Sequence, residues 1–167
     1  MTSILTKSSP FADLTADTEL LKPGKRGFTS LGSTLLVVSI GEAFDARKAS
    51  RYGILQERGQ GITGIARDKE GRLSVLEGKL EATRLLLNEH ALGSRALLGH
   101  FNLGIRGSQI LGSYRLGTQT RLQSAGGVLV GVIPDQLHMV SPEASEFYEQ
   151  LRIYEDIEEE AAITYRV

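Results

Sequence analysis

Gly61-Ile-Thr-Gly-Ile-Ala-Arg-Asp-Lys-Glu-Gly-Arg-Leu-Ser-Val-Leu-Glu-Gly78 reads as two short strands, Ile62–Arg67 and Arg72–Glu77, joined by the polar loop Asp68-Lys69-Glu70-Gly71. Apolar and β-branched residues mark both arms, and a short loop ending in glycine suits a hairpin. The run that follows, Leu80–His90, places Leu80, Thr83, Leu86, Leu87 and His90 at helical spacing, with Gly93 where a helix C-cap would stand. A hairpin leading into a helix is the unit on which the expected fold rests.

Upstream, Ser33–Gly41 is β-branched and leucine-rich, apolar at successive positions rather than alternating. That pattern predicts a strand buried on both faces. Asp45 predicts the N-cap of a helix running to about Arg58, with Ala49, Tyr52 and Gln56 on one stripe. Gly53 lies inside that helix at a cost of roughly 1 kcal/mol relative to alanine. Downstream, Ala96–Ile105 and Ile110–Thr118 read as strands about the turn Arg106–Ser108, and Val128–Ile133 is a further apolar run. Ser141-Pro142-Glu143 supplies a cap residue, a proline at the first helical position and an acid in the first turn. The helix it opens is expected to reach about Glu158, with Phe147, Leu151, Tyr154 and Ile157 as its apolar stripe. The order β-α-β-β-α-β, with an added strand and a terminal helix, predicts an α+β, ferredoxin-like sheet. Its two helices would cover one face and the C-terminal helix the other. The expected organisation is a flexible arm over 1–32, a body over 33–120 and an extension over 121–167 that carries an acidic amphipathic helix.

Composition narrows the function classes. A chain of 167 residues, 41% hydrophobic, supports one domain with a real core. The absence of cysteine excludes disulfide frameworks, thiolate zinc sites and cysteine nucleophiles. No run approaches the roughly 18–20 apolar residues of a membrane-spanning helix, and the polar start lacks a signal-peptide core. A cytoplasmic protein with no membrane partner is the expectation. Residues 1–142 hold 17 Lys/Arg against 12 Asp/Glu, whereas residues 143–167 hold 2 against 8. Such asymmetry fits a solvated acidic helix face, or contact between that helix and the basic body of a second copy in a homo-oligomer. The basic residues form no clustered stripe, so no nucleic-acid partner is expected.

Motifs that could carry chemistry resolve into structural elements. Gly59-Gln-Gly-Ile-Thr-Gly64 matches the dinucleotide fingerprint in letters, but it enters a strand instead of opening a helix. Gly104-Ile-Arg-Gly-Ser108 could cradle an anion, although a hairpin turn is its simpler reading. His90, His100 and His138 lack metal-ligand spacing, so no metal is expected. His90 would make a favourable dipole contact at a helix C-terminus, and Glu158–Glu160 reads as a solvated helix end. No catalytic set stands out.

Four features, in this order and spacing, carry a resemblance: Leu36-Val-Val-Ser39, Gly61-Ile-Thr-Gly64, Leu76-Glu-Gly78 and Ser113-Tyr-Arg-Leu116. Over about Ser33–Thr120 the chain resembles the BLUF family of flavin-binding blue-light sensors. The resemblance implies FAD or FMN held between two helices, in a slot marked here by Val37, Glu57, Ser74, Tyr114 and Leu116. Val37 stands where the family has its photochemical tyrosine, Glu57 where it has asparagine and Ser74 where it has glutamine. Tyr114 and Leu116 stand where tryptophan and methionine are common. Valine has no hydroxyl to donate and serine is too short to bridge a ring to the first strand. The implied function is a BLUF-like signalling or regulatory interaction module with an unidentified protein partner, no cofactor and no ordinary flavin photocycle. One alternative is a divergent FAD- or FMN-binding photoreceptor. The other is a small acylphosphatase-like hydrolase, against which Glu42 sets an acid in the loop Gly41–Phe44 where an anion cradle would be needed.

Overall fold

A computed structural model describes residues 32–165. Eight strands follow one another: β1 Thr34–Ile40, β2 Arg51–Arg58, β3 Gly61–Asp68, β4 Leu73–Glu81, β5 Arg84–Ala91, β6 Leu97–Arg106, β7 Gln109–Leu116 and β8 Leu122–Gly131. A 3-10 helix, Pro134–Met139, and a single α-helix, α1 Pro142–Tyr165, complete the described chain. Each strand pairs antiparallel with the next. β8 then returns to β1, in register from Thr34↔Gly131 to Ile40↔Ala125. The result is a closed up-and-down barrel, in which no strand edge is left unpaired.

This closure overturns the ferredoxin-like α+β expectation, and the reason lies in two segments. The helix expected over Asp45–Arg58 is a loop followed by β2. Along β2, Tyr52 and Ile54 point outward beneath α1 while Gly53 and Leu55 point inward, so both faces are apolar and the period of two is hidden. The helix expected over Leu80–His90 is the end of β4, a turn at Ala82-Thr83, and β5. Leu85, Leu87 and Glu89 alternate inward there, and the helical spacing of Leu80, Leu86, Leu87 and His90 is a coincidence of a leucine-rich strand pair. Gly93 turns the chain between β5 and β6 and caps no helix. The hairpin Gly61–Gly78 is real and forms β3 and most of β4. The arm expected over 1–32 lies, apart from Gly32, outside the described residues.

The barrel interior is filled by alternate residues of every strand, among them Leu36, Leu55, Leu76, Leu87, Phe101 and Leu129. Each such side chain contributes about 1.5–3 kcal/mol on burial. Glycines on the inner faces let the strands coil tightly around this core. A Cβ at Gly78, Gly112 or Gly127 would collide with the carbonyl oxygen of Leu86, Asn102 or Val37, respectively.

β1 is apolar on both faces because it has two cores to serve. Its outward Leu35 and Val37 pack with Ile54, Val130, Leu137, Ala144, Phe147 and Leu151, which places α1 and the 3-10 helix against the outside of the barrel. The sequence signal for the start of α1 holds in detail: the Ala144 N–H donates to Ser141 Oγ at 3.0 Å. Phe147 and Leu151 face inward as expected, whereas Tyr154 is exposed; the side chain of Ile157 lies outside the described residues. Arg67 of β3 ties the helix down, pairing with Glu146 at 3.3 Å and standing over the Phe147 ring.

The two ends of the barrel differ. At one end β2–β3, β4–β5 and β6–β7 are joined by two residues each, Gly59-Gln60, Ala82-Thr83 and Gly107-Ser108. The left-handed φ of +60° at Gly59 and +61° at Gly107 suits such tight hairpins. At the other end the loops 41–50, 69–72, 92–96 and 117–121 are longer and surround an open mouth.

Candidate binding site at the barrel mouth

Near the open end the inward alternation turns from hydrocarbon to polar groups. Glu89 projects inward from β5, fully buried, with Ser74 from β4 and Tyr114 from β7 beside it. Arg51, the first residue of β2, reaches across the interior to the same point. Its Nε donates to Glu89 Oε2 at 2.6 Å and its Nη2 to Oε1 at 3.0 Å, a two-pronged pair. The Ser74 hydroxyl donates to Oε2 at 2.7 Å and the Tyr114 hydroxyl to Oε1 at 2.8 Å. The carboxylate therefore accepts four hydrogen bonds, about as many as its two oxygens can take.

Packing fixes the donors in place. The Tyr114 ring rests on Phe101 with centroids 4.6 Å apart, and the Arg51 guanidinium stands 5.8 Å above the Tyr114 centroid. On β6, Gly99 leaves the space that the Tyr114 ring occupies, since a Cβ there would strike Cζ and the hydroxyl. Arg51 Nη1 also donates to the Ser50 carbonyl at 2.9 Å.

Electrostatics follow from this arrangement. Burial pushes the Glu89 carboxyl upward, but the guanidinium of Arg51 and the two hydroxyl donors outweigh it and hold the group below its ordinary range. Burial and the neighbouring carboxylate both push the Tyr114 phenol well above its ordinary value. Burial works against the charge of Arg51, yet Glu89 more than offsets it and Arg51 stays firmly cationic. Near neutral pH the cluster is one anion, one cation and two neutral hydroxyls.

Above this floor lies a cavity of about 650 Å³, walled on its apolar side by Leu73, Ala91, Leu92, Leu98 and Leu116. Leu98 owes its position to a register shift: Glu89 pairs with Gly99 but His90 pairs with Leu97, so Leu98 is the extra residue of β6. A smaller recess of about 250 Å³ shares Arg51, Tyr114 and Leu116 with it and extends toward Lys69 and Gln123. A separate depression of about 620 Å³ lies on the outer face of β4–β8, lined by Asn88, His100, Asn102 and Arg115 among others. It contains no buried polar cluster, and His100 there is held below its ordinary value by burial and by Arg115 and His90. The chemistry is concentrated at the mouth.

The five positions marked by the BLUF resemblance do not share one slot. Ser74, Tyr114 and Leu116 come together at the mouth cavity. Val37 faces the opposite way, under α1, and Glu57 lies near the tight-turn end of β2. Arg51 and Glu89, which complete the cluster, escaped sequence reasoning because each sat inside an expected helix. The signal that could have found Glu89 is the alternation Leu85-Leu87-Glu89, which places an acid in the row of core leucines. Glu42, the acid of the Gly41–Phe44 loop, pairs with Lys69 at 2.8 Å on the rim. Gly104–Ser108 contains the tight β6–β7 hairpin turn. Among the described residues no group of three or more His, Asp or Glu could hold a metal ion, and no helix is long and apolar enough to cross a membrane. No family model, no curated protein and no solved structure matches the chain.

Proposed function

We propose that this chain is a non-catalytic binding module that admits one small, largely apolar molecule to the mouth of its barrel. The observation that carries the reading is the buried Arg51–Glu89–Ser74–Tyr114 cluster forming a fixed polar floor to an otherwise leucine-walled, solvent-open cavity. An eight-stranded barrel is wide enough for its side chains or for one small ligand, and small-molecule sites occupy roughly 300–1,000 Å³. Here the core fills the tight-turn end and leaves the mouth. Leu92 and Leu116 line the cavity while remaining 46% and 48% exposed, apolar surface that an entering ligand would cover.

Binding is favoured over turnover by the state of the titratable groups. Glu89 is ionised but saturated with donors, and Tyr114 holds its proton tightly, so neither is poised to exchange a proton near neutral pH. The outer face of β4–β7 carries Glu77, Lys79, Arg84, Asn88, Asn102 and Arg115, which supports a barrel facing water and, as part of the proposal, a cytoplasmic setting.

The neutral fluorophore N-phenyl-1-naphthylamine tests the reading. Saturable one-to-one binding is expected, and Leu98→Glu should weaken it by roughly tenfold or more while leaving the circular dichroism and melting curve intact. Absence of saturable binding, or binding untouched by Leu98→Glu in a folded variant, would overturn it.

A further inference from the structure

The charges and donors at the mouth also select the chemistry of what enters. Resting on the binding reading above, we infer that the ligand is uncharged and presents a carbonyl or hydroxyl oxygen to Arg51. Arg51 offers five N–H bonds; the contacts among the described residues take two for Glu89 and one for Ser50. The guanidinium also hydrogen-bonds to the Tyr114 side chain, which leaves one N–H bond for an incoming acceptor. The hydroxyl protons of Ser74 and Tyr114 are committed to Glu89, so these two oxygens face a ligand as acceptors only. A ketone oxygen can accept from Arg51. An alcohol can do so and also donate to Tyr114 or Ser74.

An ionic head group meets a different balance. The charged side chains lining the cavity and its recess are Arg51, Lys69 and Arg72 against Asp68, Glu70 and Glu89, three of each sign. They are already paired: Arg51 with Glu89, and Arg72 with Asp68 at 3.0 Å and with Glu70 at 3.4 Å, while Lys69 reaches Glu42 on the rim. A carboxylate would give up its hydration to sit between a compensated guanidinium and the Glu89 carboxylate. An ammonium would face Arg51. A desolvated charge without a counter-charge of its own is strongly disfavoured, so either ion is refused while a neutral oxygen is accepted.

A matched series separates these contributions: 4-tert-butylcyclohexanone, 4-tert-butylcyclohexanol, 4-tert-butylcyclohexanecarboxylate and tert-butylcyclohexane, each competing with N-phenyl-1-naphthylamine on the full chain. Near neutral pH the ketone and the alcohol should displace the fluorophore at concentrations roughly tenfold lower than the carboxylate or the bare hydrocarbon. On mild acidification, as the free acid forms, the carboxylic acid should approach the alcohol while the ketone stays unchanged. Displacement by the carboxylate as effective as that by the ketone at neutral pH overturns the inference. So does equal displacement by the hydrocarbon, or none by any member while the fluorophore itself binds; these outcomes leave the binding barrel standing. If the fluorophore does not bind at all, the barrel reading fails, and this inference fails with it.

Discussion

Replacing Arg51 by methionine removes one partner of the buried pair and leaves the other in place. Glu89 has no exposed side-chain surface, and two of its four hydrogen bonds come from the guanidinium. Hydrogen bonds to charged groups contribute roughly 1.5–3 kcal/mol each, and breaking a buried pair from one side costs about 3–5 kcal/mol. Because the Arg51 side chain keeps 18% exposure, water screens part of the interaction, and the lower end, about 3 kcal/mol, is expected. With a urea m-value near 1.5 kcal/mol/M this moves the unfolding midpoint down by about 2 M. The pH dependence carries the sharper test. In the native protein Glu89 titrates below its ordinary value of 4.5, so its contribution is present above that pH and is lost as pH falls through the folded value. Without Arg51, burial is opposed only by the Ser74 and Tyr114 hydroxyls, and the carboxyl titrates higher than in the native protein. The variant should then regain stability relative to wild type as pH falls from neutral toward about 5. Adding Glu89→Leu removes the orphaned charge but strips the buried Ser74 and Tyr114 hydroxyls of their acceptor, so it should restore only part of the loss. Urea titrations at the two pH values decide the matter. A deficit below about 1 kcal/mol at neutral pH, or a gap that widens on acidification, would refute the reasoning.

Two further outcomes follow from the same cluster. Gly99→Ala puts a methyl group where the Tyr114 ring lies; overpacking of this kind costs about 1–3 kcal/mol, to be read in urea, and should weaken the near-ultraviolet tyrosine dichroism as the ring leaves Phe101. Tyr114 holds its proton above the ordinary value of 10.0 because of burial and Glu89, so it stabilises the fold below that pH and the contribution is lost as pH rises past it. Tyr114→Phe should therefore flatten the alkaline limb of the stability curve, and an unchanged limb would show that neither burial nor Glu89 holds the proton on the phenol.

What could be read from the residues depended on how many faces each strand buries. The hairpin at Asp68–Gly71 was legible because β3 and β4 alternate and their turn chemistry is local. The start of α1 was legible because Ser141-Pro142 states a cap within a few residues. β2 was not, because its outer face lies under α1 and its inner face lines the barrel, which removes the period of two that marks a strand. β5 was obscured by leucines at Leu85, Leu86 and Leu87, two faces running together. Closure of the barrel is set by pairing between β1 and β8, a long-range event with no local mark beyond the inner-face glycines. The site suffered for the same reason. Ser74 and Tyr114 are marked by the resemblance, which says nothing of their contact, while Arg51 and Glu89 lie within segments whose local pattern reads as helix.

The pairing of Thr34 with Gly131 also sets a schedule for synthesis. Hairpins from β2 through β7 can form as they emerge, each joined to its neighbour by a short connection. β1 cannot complete its two ladders, nor can the interior be sealed, until the chain has been made through Gly131. Leu35 and Val37 wait longer still, for Phe147 and Leu151. A ribosome-bound chain stopped short of α1 therefore exposes an oily first strand that the finished protein hides twice over. Contacts of such sequence separation form slowly and leave apolar surface open to aggregation meanwhile. The earliest-made strand of the barrel is thus the last to be sheltered, and the nascent chain stays aggregation-prone until the helix that covers that strand has been made.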